Sequence, residues 1–189
     1  MSKMGNKPLV TFAKVLNTYK SKFHGREALK KYKQWFPIYP SSGLAGIVAD
    51  LIFDGHLQLE PKLRLDYTSK SKNELRRFEA EIYNIFKLNG KIRACTSNKF
   101  SKTYNYGVNC KPLARVLILL GVPTGAKVLK PFRVPRWIIK NEHCFRIFVK
   151  RMFDCEGSIW NKKYSWIGIE MWKERRLIKN GIEFFNDIR

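Results

Sequence analysis

Apolar residues recur along this chain with two periods, and the switches between them lay out its elements. Residues 44–55, LAGIVADLIFDG, are almost continuously apolar, and with Gly43 just before them they set Gly43, Ile47, Asp50 and Asp54 along one helical face. Period two takes over at residues 57–59 and again at 63–69, where Leu63, Leu65 and Tyr67 point to one side and Arg64, Asp66 and Thr68 to the other. Between these strands Pro61 marks a turn, because proline donates nothing to a central ladder. Helical spacing returns over residues 73–87 with Leu75, Phe78, Ile82 and Ile85 or Phe86 on one side, and Asn89-Gly90 stops it. Two more strands, residues 91–95 and 104–110, flank a hairpin loop at 98–101. An apolar helix over about 112–120 opens on Pro112, whose missing N–H is harmless at a first helical position. The order αββαββα predicts an α+β domain.

The pattern then begins again. A helix from near Asn141 carries Phe145, Val149, Met152 and Glu156 at the same spacing as the first, followed by strands at 158–161 and 164–172 and a helix from about Lys173. Residues 148–157, FVKRMFDCEG, repeat the acid-glycine ending of 44–55, and Asp54 and Glu156 stand 102 residues apart, about the length of one small unit. The chain therefore divides into a basic N-terminal arm (1–42), a first repeat (43–140) and a second (141–189). Only 33 residues follow Glu156, against 86 between Asp54 and Asn141, so the second repeat is expected to lack one hairpin and a closing helix. That shortfall leaves residues 164–172 as an edge strand, with Trp166, Ile167 and Ile169 exposed and open to self-association.

Aligned as 47–55 and 149–157, the two segments resemble the signature helix of the LAGLIDADG homing endonuclease family. Residues 121–127, GVPTGAK, followed by 134–138, VPRWI, resemble that family's loop between the first half and the second signature helix, and the likeness spans about residues 43–189. It implies the homing-endonuclease fold, two αββαββα units packed through their motif helices, in a monomer that cuts a long specific site in double-stranded DNA. It also implies a divalent cation, Mg²⁺, at Asp54 and Glu156, with Gly55 and Gly157 beside them and Lys127 near the active centre, polarising water or stabilising phosphate. The family keeps a small residue at the motif's third core position; Ala49 fits, whereas its counterpart is Arg151.

These residue types suit phosphodiester hydrolysis, since a carboxylate-held Mg²⁺ activates water and stabilises the departing oxygen. An acid at a helix C-terminus gains nothing from the helix dipole, so two such acids point to a metal rather than to helix stability. A lone Asp54-Gly55 would be only a helix stop. Both glycines are expected to supply unusual backbone angles at the helix-to-strand turn.

Charge narrows the partner. The chain has 37 Lys+Arg against 15 Asp+Glu, a net charge of +22, which favours a polyanion. Polar strand positions Gln58, Arg64, Asp66, Thr68, Arg93, Cys95, Asn105 and Asn109 are candidates for base contact, because a two-stranded ribbon can enter the major groove. Lys70, Lys72, Lys99 and Lys102 suit phosphates. In the basic arm Leu29, Tyr32 and Trp35 or Phe36 recur at helical spacing, a short amphipathic helix that either packs or touches DNA. An RNA-binding intron maturase, a decayed endonuclease that still binds DNA and a structural RNA-binding protein share this charge. No lipidation motif, secretory signal or long apolar span appears, so no membrane partner and an intracellular site are expected, in the cytoplasm, at a nucleoid or in an organelle. Cys95, Cys110, Cys144 and Cys155 lack zinc-ligand spacing and read as small reduced core residues.

Overall fold

The computed structural model describes residues 7–58, 60–95, 102–161, 165–171 and 173–189. Two N-terminal helices, α1 (Phe12–Leu16) and α2 (Lys22–Leu29), lead through a 3₁₀ segment (Lys30–Trp35) into α3 (Ser42–Ile52), the first repeated helix. Then come β1 (Gly55–Leu57), β2 (Leu65–Ser69), α4 (Lys72–Phe86), β3 (Lys91–Ala94), β4 (Tyr104–Val108) and α5 (Lys111–Leu119). A short α6 (Arg136–Ile139) precedes the second repeated helix, α7 (Glu142–Glu156), which runs into β5 (Gly157–Asn161), β6 (Ser165–Ile169) and α8 (Ile178–Ile188). The molecule is thus mixed helix and antiparallel sheet, with the element order expected from the two periodicities.

Ser41 starts α3 by accepting a hydrogen bond from the Leu44 N–H at 3.2 Å. Asp50 apart, the helix is apolar from Leu44 to Ile52 because it is enclosed on several sides: α7 packs along one and α4, β1 and β2 along others, so residues 44–52 are all buried. The first sheet has the order β1-β2-β4-β3. Its inner face sets Leu57, Leu65, Tyr67, Tyr106 and Val108 against α3 and α4, and Tyr67 stacks on Phe78 at 4.6 Å between ring centroids. The register aligns Thr68, Asn105 and Arg93 across the outer face, and beside them His56, Asp66, Gly107 and Lys91.

Two expectations are corrected here, and one left open between two alternatives is decided. The first strand ends at Leu57, before Gln58, and the second begins at Leu65, because Leu63 sits in the left-handed region with φ 43° and turns the chain just before it. Of the two expectations for the helix in the N-terminal arm, packing is what residues 7–42 show: Val10, Val15, Leu29, Trp35 and Ile38 are core residues. Trp35 Nε1 donates to the Phe86 carbonyl at 2.8 Å, and Arg115 Nη1 to that of Thr18 at 2.8 Å. Finally, Ile169 is half-buried against the core, and the side chains of Trp166 and Ile167 lie outside the described residues, as does Lys99. Helix α8 packs between the end of α3 and the linker, with its Phe184 buried and its ring 6.1 Å from Phe53 and 5.4 Å from Phe132. The Phe132 N–H donates to Asn180 Oδ1 at 3.0 Å, and Arg133 pairs with Asp187 at 2.5 Å, fastening the linker between the repeats to α8.

Candidate functional site

Helices α3 and α7 pack along each other, and their C-terminal ends gather four groups with chemistry: Asp54, Cys155, Glu156 and Lys127. Burial raises the Glu156 carboxyl above the ordinary glutamate value; the Asp54 charge raises it further, and Lys127 opposes both. Asp54 keeps much of its area in solvent, yet the protein around its carboxyl raises it too, against the Cys155 hydrogen bond and the Lys127 charge. Burial and then the Asp54 and Asp50 charges push the Cys155 thiol well up, so it stays protonated and hydrogen-bonds Asp54. Cys155 is therefore part of this site rather than an ordinary core residue. Two carboxyls raised by burial, one of them also by the other's charge, form a place where added positive charge lowers the energy.

Lys127 supplies one such charge. The loop that carries it is hooked to β1, where the Gly125 N–H donates to the Leu57 carbonyl at 2.8 Å with Gly125 at φ 71°. Lys127 Nζ then donates to the carbonyls of Gly55 at 2.8 Å, of Phe53 and, at 3.5 Å, of Leu51. These include carbonyls that the end of α3 leaves without helical partners, at the negative pole of its dipole. Lys173, a residue that no motif in the sequence marks, reaches the same place: its Nζ donates to the carbonyls of Lys127 and Lys130, each at 2.8 Å, and lies 3.7 Å from the Phe132 ring centre. The two lysines, Phe53, Phe132, Glu156 and Met171 line a cleft of about 160 Å³.

Burial lowers the pKa of Lys127 to about 8, against the opposing pull of Asp54 and Glu156, and burial also lowers Lys173 to about 8. Between about pH 8 and the ordinary lysine value of 10.5, the unfolded chain holds protons that the folded one has released, so stability rises with pH in that window. Thermal unfolding of the wild type and Lys127→Met measures this directly. The wild-type midpoint is expected to rise relative to that of Lys127→Met across the window; a constant difference would mean that Lys127 keeps its proton throughout.

Gly55 and Gly157 do not serve through unusual angles. Gly157 has φ −78° and ψ 145°, ordinary extended backbone, and Gly55 is not among the positive-φ residues. The requirement is space: a Cβ on Gly55 would stand 2.7 Å from Leu51 Cα, and one on Gly157 would stand 2.3 Å from the Phe153 carbonyl oxygen. The Gly55 carbonyl already accepts from Lys127. Among the described residues no cluster of three or more His, Cys, Asp or Glu side chains has metal-binding geometry, so the oxygen donors here are the two carboxylates and nearby carbonyls.

Behind the site lies a charged cluster that sequence reasoning missed. Asp50, with 0% exposure, takes a bidentate bond from Arg77 of α4 at 2.8 and 3.2 Å. Arg77 also bonds Glu74 and Glu81, and Glu81 pairs with Arg151 of α7 at 2.7 Å. Arg151 thus sits in the interface, with Nε 3.6 Å from where a Gly46 Cβ would be, so Gly46 supplies the small surface that the second motif lacks.

The outer sheet face collects most of the expected nucleic-acid residues. Asp66 is committed to protein, pairing with Arg64 at 2.7 Å and accepting from Gln58 at 3.1 Å, so it orients Arg64 and is not free to read a base. Asn105 donates to Thr68 at 3.1 Å. Arg64, Lys91, Arg93 and Asn109 line a basic groove of about 230 Å³, and Gly107 lets the Arg64 guanidinium lie flat across the sheet. Lys70, Lys72 and Lys102 are exposed, Lys72 with its ammonium 4.6 Å from the Tyr104 ring centre. Neither models of known protein families nor curated proteins give a match to this chain. Among the described residues no helix is long and apolar enough to cross a membrane.

Proposed function

We propose that this chain is a site-specific endonuclease of double-stranded DNA, of the LAGLIDADG homing type, acting inside the cell. The observation that carries the reading is the meeting of two repeated helices, each delivering one acid to a common site beside Lys127. A basic sheet face on the first repeat gives that site a partner. The donor set fits a hard divalent cation, because Asp54 and Glu156 are oxygen ligands whose mutual repulsion such a cation relieves. When bound, Mg²⁺ would lower the pKa of an attacking water and neutralise charge on the phosphate. The chain's own groups do the rest. Lys127 in its protonated form faces the developing negative charge. Arg64 and Arg93 lie against base edges, and Lys70, Lys72 and Lys102 against phosphates. Water oxygen bonds to phosphorus as the bond to the leaving sugar oxygen breaks, and that oxygen takes a proton.

Incubation with a labelled duplex library in Mg²⁺, with EDTA as control, tests this; metal-dependent double-strand products at one sequence are expected. Binding without products in Mg²⁺ would instead favour a DNA-binding remnant or an RNA-binding maturase. Affinity for duplex should fall steeply with salt, each neutralised phosphate adding roughly −0.9 to the slope of log K against log salt. The double reversal Arg64→Glu with Lys70→Glu should reduce both affinity and slope; an affinity indifferent to salt would remove the groove-binding reading.

A further inference from the structure

Residues 7–42 carry eight lysines and arginines and a single acid, Glu27, and all nine are exposed. Among the described residues none of the eight is in an ion pair. Helix α2 turns its own share of them outward, because its other side is fixed: Gly25 and Leu29 are buried, and a Cβ on Gly25 would stand 2.8 Å from Leu16 Cδ1. The outward side presents Phe23, Arg26 and Lys30 at helical spacing, and Lys33, exposed in the 3₁₀ segment just beyond a kink at Tyr32, continues the basic run. Phe23 is 70% exposed, more than any other large apolar residue described, and its ring meets that of His24 in an edge-type contact with 5.7 Å between centroids. Cations this dense repel one another and weaken the folded state, and no packing requirement calls for a phenyl ring among them.

We infer that this face of α2 is a second nucleic-acid site, and that its ligand is single-stranded. The ammonium and guanidinium groups meet successive phosphates, and the Phe23 ring stacks on an unpaired base. A duplex offers no such base, since its rings are covered above and below. The place of the face also separates it from the sheet groove. Trp35 anchors this region to the end of α4, and Arg115 anchors it to α5. Helix α4 covers the inner side of β2 and β4, whereas Thr68, Asn105 and Arg93 occupy the outer side. The inference is independent of the endonuclease reading.

Fluorescence anisotropy with labelled oligo-dT, oligo-U and a mixed-sequence duplex tests it. Phe23→Ala should weaken single-strand binding about fivefold or more, and Phe23→Tyr should restore it, because the stacking surface returns. The triple variant Arg26→Glu, Lys30→Glu, Lys33→Glu should weaken single-strand binding further while leaving duplex affinity much less changed. Arg64→Glu should do the reverse. All these side chains are exposed, and helical circular dichroism checks that the variants fold. Tighter binding of oligo-U or of oligo-dT identifies the source as RNA or DNA. Single-strand affinity unchanged in Phe23→Ala, or an equal loss for duplex and single strand in the triple variant, overturns the inference.

Discussion

Asp54→Asn and Glu156→Gln are each expected to abolish double-strand cleavage while leaving duplex affinity unchanged or slightly higher. Each substitution keeps the shape of the side chain and removes one negative oxygen, so α3 and α7 still pack. Burial raises both carboxyls and the Asp54 charge raises Glu156 further, and a divalent cation is the counter-charge that makes both ionised forms favourable. Losing one ligand removes several kcal/mol of transition-state charge stabilisation, which corresponds to a rate loss of about a thousandfold or more. The same substitutions should raise the melting temperature of the metal-free protein, because repulsion between the acids disappears. Nicking and double-strand cutting are read on a plasmid bearing the selected site. If either variant cut at the wild-type rate, the centre would have to lie elsewhere.

The two motif helices were legible because the first is an unbroken apolar run and the second repeats its acid-glycine end. Their packing follows from a face that must be buried. The glycines were legible as necessary and misread as to cause, since crowding by Leu51 and Phe153 is a property of the folded turn. Lys127 was marked by its loop motif, whereas its bonds to three carbonyls at the end of α3 depend on residues more than 70 positions away. Lys173 and Asp50 carried no local signal at all. A lysine in a chain with 37 cations is invisible, and an aspartate on an apolar face becomes meaningful only once Arg77 arrives from another helix. The N-terminal helix stayed open between packing and DNA contact for a related reason: its buried residues are scattered among lysines, and their partners on α4 and α5 are distant in sequence.

Arg151 shows how such a contact adapts the interface between the repeats. An arginine where the first motif has alanine should hold two helices apart. Here Gly46 receives the stem, and Glu81, itself held by Arg77, receives the guanidinium. The α3–α7 contact therefore depends on α4, and the position of Asp54 relative to Glu156 depends on a charge cluster one layer behind them.

Arg77→Ala is accordingly expected to be the most destabilising single change outside the apolar core. It leaves Asp50 fully enclosed without its bidentate partner, and removing one member of a buried pair costs about 3–5 kcal/mol. In a chain of this size that corresponds to a fall in melting temperature of roughly 6–20 °C. The sign of its pH dependence follows from Asp50, whose pKa burial already raises in spite of Arg77. Without the guanidinium the folded pKa rises further, so the folded variant takes up a proton that the unfolded chain does not. The deficit against wild type should therefore shrink as pH falls towards the acidic range. Asp50→Leu combined with Arg77→Met should recover much of the loss, because an apolar pair needs no counter-charge. Calorimetric melts of the single and double variants at neutral and mildly acidic pH decide the matter. A melting temperature for Arg77→Ala equal to that of the wild type would show that the Asp50 charge is satisfied from another direction.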